Sequence, residues 1–199
     1  WKDSMTIPGD SISNSELDKK FNSWKDTNPN DINEKIDMTN ITSEQVQELS
    51  LFTAALLNQI RQQLGIIEYT GTAKVTVGTV DLALQVAQLS SQKNADWGHY
   101  IYVLKQATYD HGLSSEPATD KDDYTSGINF YGESAQSGTT NLSMTMARAK
   151  ELIANAISGM LFFDGYSDMG HTVAILGLYN ISKEYSLGDR SEVLGVSLS

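Results

Sequence analysis

Thr42-Ser43-Glu44-Gln45 opens a run in which Val46, Leu49, Phe52, Leu56, Ile60 and Leu64 recur at threes and fours until Gly65. A hydroxyl at Thr42 with Gln45 three residues on has the capping-box spacing, and apolar residues at that interval line one face of a helix. The pattern predicts a helix of about six turns with one buried stripe, ended by a glycine.

Three further helices follow from the same reasoning. Asp81 to about Ser90 carries Ala83 and Ala87 four apart on one face, small enough for close approach of a neighbouring element. Ile101, Leu104 and Ala107 mark a helix from Trp97 to Asp110 that closes at His111-Gly112, where glycine can take a left-handed conformation. His99 falls in its first turn, and His111 beside the helix end has a capping role. A fourth helix is expected from near Ser143 to Phe163, capped by Asn141 or Ser143, with Ala147, Ile153, Ala156 and Met160 facing inward. Two β-rich runs, His171 to Tyr179 and Glu192 to Ser197, come last. Helices first and strands late imply an α+β architecture. Residues 1–40 are polar, with Ile12, Leu17, Phe21 and Trp24 too thinly scattered for a core, and are expected to form a linker or stalk before a domain spanning 41–199. Leu17, Phe21 and Trp24 also have helical spacing, so a short amphipathic helix docked on the domain is the alternative.

With 199 residues, 40% of them hydrophobic, the chain can bury one sizeable core plus an extra segment. A net charge of −11 repels phosphate backbones and anionic lipid, which argues against nucleic acid as a partner. The absence of cysteine excludes disulfides, thiolate metal sites and cysteine nucleophiles; exported Gram-positive and cytosolic proteins both fit such a composition. No apolar run approaches the roughly 20 residues that span a bilayer, so no transmembrane segment is expected.

Chemistry concentrates around two histidines and a glutamate. His99 lies in Trp97-Gly98-His99-Tyr100, Glu133 in Tyr131-Gly132-Glu133-Ser134-Ala135, and His171 in Gly170-His171-Thr172-Val173. Two of the chain's three histidines thus sit in Gly-preceded segments on either side of an acidic loop. Two neutral imidazoles and a carboxylate suit Zn²⁺ or another borderline divalent ion with positions left for water or an acidic fourth ligand. The same groups could instead exchange protons in general acid/base work, since imidazole titrates near neutral pH. Ser134 adjoins Glu133, but the Gly-x-Ser-x-Gly elbow of serine hydrolases is missing. Asp120-Lys121-Asp122-Asp123 fails as a calcium loop, because the sixth position is Thr125 and the twelfth Tyr131. Trp97, Tyr100, Tyr102, Tyr109, Phe130 and Tyr131 serve either core packing or a groove for a glycan or peptide.

Taken in order, these phrases resemble the CAP superfamily (cysteine-rich secretory proteins, antigen 5, pathogenesis-related proteins), and most closely its bacterial surface-exclusion branch. Leu57-Asn58-Gln59-Ile60-Arg61-Gln62-Gln63-Leu64-Gly65 resembles the Leu-Asn-x-x-Arg-x-x-x-Gly phrase that ends the family's first helix. Ala83, Ala87 and His99 match its Ala-x-x-x-Ala helix and following histidine, Gly132-Glu133-Ser134-Ala135 its Gly-Glu-Asn phrase, and Gly170-His171 through Ile175-Leu176 its Gly-His-x-x-x-Ile-Leu phrase. The surface-exclusion likeness rests on Phe163-Asp164-Gly165-Tyr166-Ser167-Asp168-Met169-Gly170-His171. Ser134 replaces the family's Asn, and the acidic residue often found on the helix before the last histidine has no clear match, leaving Glu151, Asp164 or Asp168 as substitutes.

The resemblance implies a three-layer α-β-α sandwich with a central antiparallel sheet and a cleft holding His99, Glu133 and His171. It implies an extracellular, secreted or cell-surface fragment of a Gram-positive surface protein that binds a peptide, glycan or protein and acts in surface exclusion or cell contact. A peptidase-like hydrolase using the same cleft is the alternative. Plainer roles exist for each residue: a surface histidine, a satisfied core histidine, and a Gly-Glu turn.

Overall fold

The computed structural model describes residues 24–93, 101–113, 116–119, 142–162, 170–178, 192–196 and 198. Its backbone is the capped helix foreseen from Thr42, here α2 (Ser43–Gln63). Thr42 Oγ1 accepts from the Gln45 N–H and Gln45 Oε1 accepts from the Thr42 N–H, each at 3.3 Å, so the capping box closes in both directions. Val46, Leu49, Leu56, Leu57 and Ile60 are buried along one stripe, Leu64 is exposed, and Gly65 ends the helix at φ +69°.

Residues 24–42 reach α2 as packed structure, within a stretch, 1–40, that reads as a linker by composition; residues 1–23, and with them the helix suggested by Leu17 and Phe21, lie outside the described residues. Trp24 is buried and stacks on Phe52 of α2, with ring centroids 5.6 Å apart. A short helix α1 (Pro29–Asn33) and strand β1 (Lys35–Asp37) follow, and Ile36 is fully buried. β1 pairs antiparallel with β3 (Ser143–Thr145), Ile36 opposite Met144. Isolated apolar residues in a polar stretch escape periodicity analysis, because a three-residue strand buries a single side chain and shows no repeat.

β3 takes the place of the first turn expected of the fourth helix. That helix, α6 (Met146–Phe162), starts after Thr145, whose Oγ1 accepts from the Arg148 N–H at 3.2 Å. Its inner face is Met146, Ala149, Lys150, Ile153, Ile157 and Leu161; Ala156, expected inside, is only partly buried. α6 packs along α2, and Lys150 lies at the seam. Its ammonium bonds Asp31 of α1 at 2.5 Å and Glu48 of α2 at 2.6 Å, and stands 5.9 Å from the Phe52 ring centroid.

After α2, a single helical turn, α3 (Ile67–Thr70), leads to strand β2 (Ala73–Lys74), then α4 (Val77–Lys93) and α5 (Ile101–Asp110). Ala83 and Ala87 are buried on α4 as their size predicts. Gly195 is a close neighbour of Ala83: a Cβ added there would collide with the Thr79 carbonyl and come within 2.9 Å of the Ala83 methyl. β2 pairs parallel with β4 (Glu192–Val193), and the ladder continues as the Leu194 N–H donates to the Lys74 carbonyl. α5 closes at Asp110 as expected, with Gly112 at φ +69°, while its expected start at Trp97 and His99 lies outside the described residues.

The run His171 to Tyr179 is the main departure. It begins as helix α7 (Gly170–Ile175), not as a strand. Among its described residues the buried side chains are Thr172 and Leu176, four apart, which is helical period; a short β-branched run is ambiguous until its packing partner is known. The whole is an α+β domain in which helices outweigh strands, with one small antiparallel pair and one parallel pair among the described residues.

Candidate functional site

His171 is the one member of the expected constellation among the described residues. His99, Glu133, Asp164 and Asp168 lie outside them, so no distance within the set is defined. Among the described residues no three of His, Asp or Glu come together as a metal-holding group. Glu151 is described, and its carboxylate on α6 lies 3.0 Å from both Lys25 and Arg148. An ion pair there with half-exposed Arg148 and more exposed Lys25 is of the surface kind, worth up to about 1 kcal/mol, and would not by itself prevent exchange for another cation.

His171 is partly exposed, the second residue of α7. A helix of six residues has too few internal hydrogen bonds to hold itself, so its placement comes from contacts with its neighbours. Thr172, next in the chain, donates from Oγ1 to the Met160 carbonyl of α6 at 2.7 Å. At the other end, the Ile175 carbonyl accepts from Arg61 Nη2 at 2.7 Å. Arg61 comes from the last turn of α2 and is fully buried. Its Nη1 also points to the Gly71 carbonyl at 3.4 Å. Gly177 takes φ +70°, and a Cβ there would stand 3.2 Å from the Arg61 guanidinium carbon.

Arg61 belongs to the Leu57-Asn58-Gln59-Ile60-Arg61 phrase, whose polar members had no role assigned from sequence. Asn58 has one as well: its Nδ2 donates to the Ala73 carbonyl at 2.9 Å and its Oδ1 accepts the Ala73 N–H at 2.7 Å. The side-chain amide thus acts as a strand edge for β2. The available signal was an arginine one turn beyond Leu57 on the buried stripe, where a charged residue needs dedicated partners. Lys150 on the inner face of α6 carries the same signal.

The fold is that of a CAP-type domain, α+β and mostly helical. Among solved structures, the CAP domain of Enterococcal PrgA superposes with a TM-score of 0.58 at 24% identity, covering 73% of this chain and 56% of that one. The chain therefore spans little more than half the length of that neighbour. No family model and no curated protein matches the sequence. The likeness is one of fold, and no helix among the described residues is long and apolar enough to cross a membrane.

Proposed function

We propose that this chain is the binding module of a Gram-positive cell-surface protein, working outside the cell in surface exclusion or cell contact. The observation that carries the proposal is the CAP fold shared with an enterococcal protein, with His171 partly exposed on a helix anchored at both ends. The surface-exclusion likeness of the Phe163 to His171 phrase supports the same setting.

On this reading His99, Glu133 and His171 line one cleft that holds a divalent ion, with Zn²⁺ the best match to two imidazoles and a carboxylate. Partial exposure of His171 is compatible with such a ligand. Bound metal would supply an electrophilic point for a carboxylate, carbonyl or hydroxyl of a surface peptide or glycan.

Zn²⁺ titration followed by calorimetry and thermal shift tests the proposal. Wild type is expected to bind and to melt at higher temperature with Zn²⁺, and His171→Ala, His99→Ala and Glu133→Ala to lose both effects. Equal Zn²⁺ response in all four proteins removes the cleft. Peptide turnover by wild type that disappears in Glu133→Ala and His171→Ala replaces the binding module with a peptidase.

A further inference from the structure

The carbonyls at the end of a helix have no partners within it, and a side chain that accepts the task of binding one also sets where that helix points. In α7 this is done by a residue more than a hundred positions earlier: Arg61 donates to Ile175, one turn beyond His171. Burying a guanidinium is costly, and an apolar side chain would fill that space in α2 more cheaply. What the arginine adds is its planar fork, which addresses the Ile175 and Gly71 carbonyls from a single rigid group; a lysine ammonium has no such geometry. Gly177 completes the seat by keeping a side chain off the guanidinium face.

We propose that Arg61 is the positioning residue for His171. Thr172 pins α7 to Met160 of α6, and Arg61 sets the rotation of α7 about that pin, so together they determine where the imidazole points. Arg61 touches no ligand; it acts through the backbone of α7. Its relevance to binding rests on the cleft proposed above, but the positioning itself needs no ligand.

The test is the imidazole Hε1–Cε1 cross-peak of His171, assigned with His171→Ala and recorded without metal. In Arg61→Lys the cross-peak is expected to move or split by more than a linewidth while the Ala73 amide, held by Asn58, remains protected from exchange. Ethylguanidinium at millimolar concentration is expected to return the cross-peak toward its wild-type position in Arg61→Ala. Should the arginine variants not fold, Gly177→Ala keeps Arg61 and presses on its guanidinium, and the same displacement is expected. A wild-type cross-peak in folded Arg61→Lys, or in Gly177→Ala if that is the variant that folds, overturns the proposal. Failure of wild type to bind Zn²⁺ would count against the cleft alone, because the cross-peak comparison contains no metal.

Discussion

The Lys150 ammonium lies 2.5 Å from the Asp31 carboxylate, both side chains nearly excluded from solvent, 6% exposed for Asp31 and 11% for Lys150. This pair joins α1, a segment that composition assigns to a linker, to the inner face of α6. Glu48 completes the triad from α2 but is 40% exposed, so it can remain solvated when Lys150 is removed.

Lys150→Met is therefore expected to destabilise the domain by about 3 kcal/mol, the low end of what removing one partner of a buried pair costs, because Asp31 is left as an uncompensated charge. Asp31→Leu combined with Lys150→Met should recover most of the loss. Urea denaturation of the two single variants and the double variant measures the difference.

Asp26 and Asp31 respond to acid in opposite senses. Burial by itself would raise Asp31, but hydrogen bonds with Asp26, Lys150 and Asn28 outweigh it and hold the carboxyl below its ordinary 3.8. Burial and the hydrogen bond to Asp31 raise Asp26. The stabilisation from Asp31 is thus present above the ordinary value and disappears as pH falls through its depressed one. Ionised Asp26 weakens the fold above its raised pKa, and that penalty vanishes once it is protonated. Asp31→Asn should be less stable than wild type at pH 7 and Asp26→Asn more stable, with both differences closing in acid; thermal melts from pH 7 down to 2.5 follow the two trends.

Asn58→Asp keeps the acceptor for the Ala73 N–H and loses the donor to the Ala73 carbonyl. Leaving a part-buried carbonyl without that donor costs about 1 to 3 kcal/mol. Faster hydrogen exchange at Ala73 and a lower denaturation midpoint are the expected readouts, and an unchanged midpoint would show the amide ladder to be dispensable.

Gly65 and Gly177 share a left-handed backbone but not their surroundings. Nothing lies within 4 Å of a Cβ added at Gly65, whereas one at Gly177 meets the Arg61 guanidinium at 3.2 Å. Gly65→Ala should cost about 1 kcal/mol of backbone strain, and Gly177→Ala that amount plus the displacement of Arg61. Equal melting temperatures for the two variants would show that the guanidinium yields freely.

Much of this fold was legible residue by residue. The Thr42–Gln45 box and the stripe behind it specified α2 almost to its ends, and the Ala83–Ala87 spacing foretold a close approach without saying of what. Helices longer than ten residues repeat their pattern several times, so the signal survives local exceptions. Trp24 and Ile36 show the opposite case: each buries one side chain in a polar stretch, which no periodicity can report. At α7 the β-branched residues favoured a strand, and the decision went to Thr172 and Leu176, whose partners on α6 and in the core suit a helical turn.

The order of the phrases that resemble the CAP superfamily, the long helices, and the net negative charge were all determined by the linear chain, because they depend on residues near one another or on simple sums. The parallel pairing of β2 with β4, the closing of Lys150 on Asp31, and the reach of Arg61 to the carbonyl of Ile175 were decided only in three dimensions. Each joins residues many tens of positions apart, and a buried charge discloses its partner only when the surrounding layers have excluded water from both.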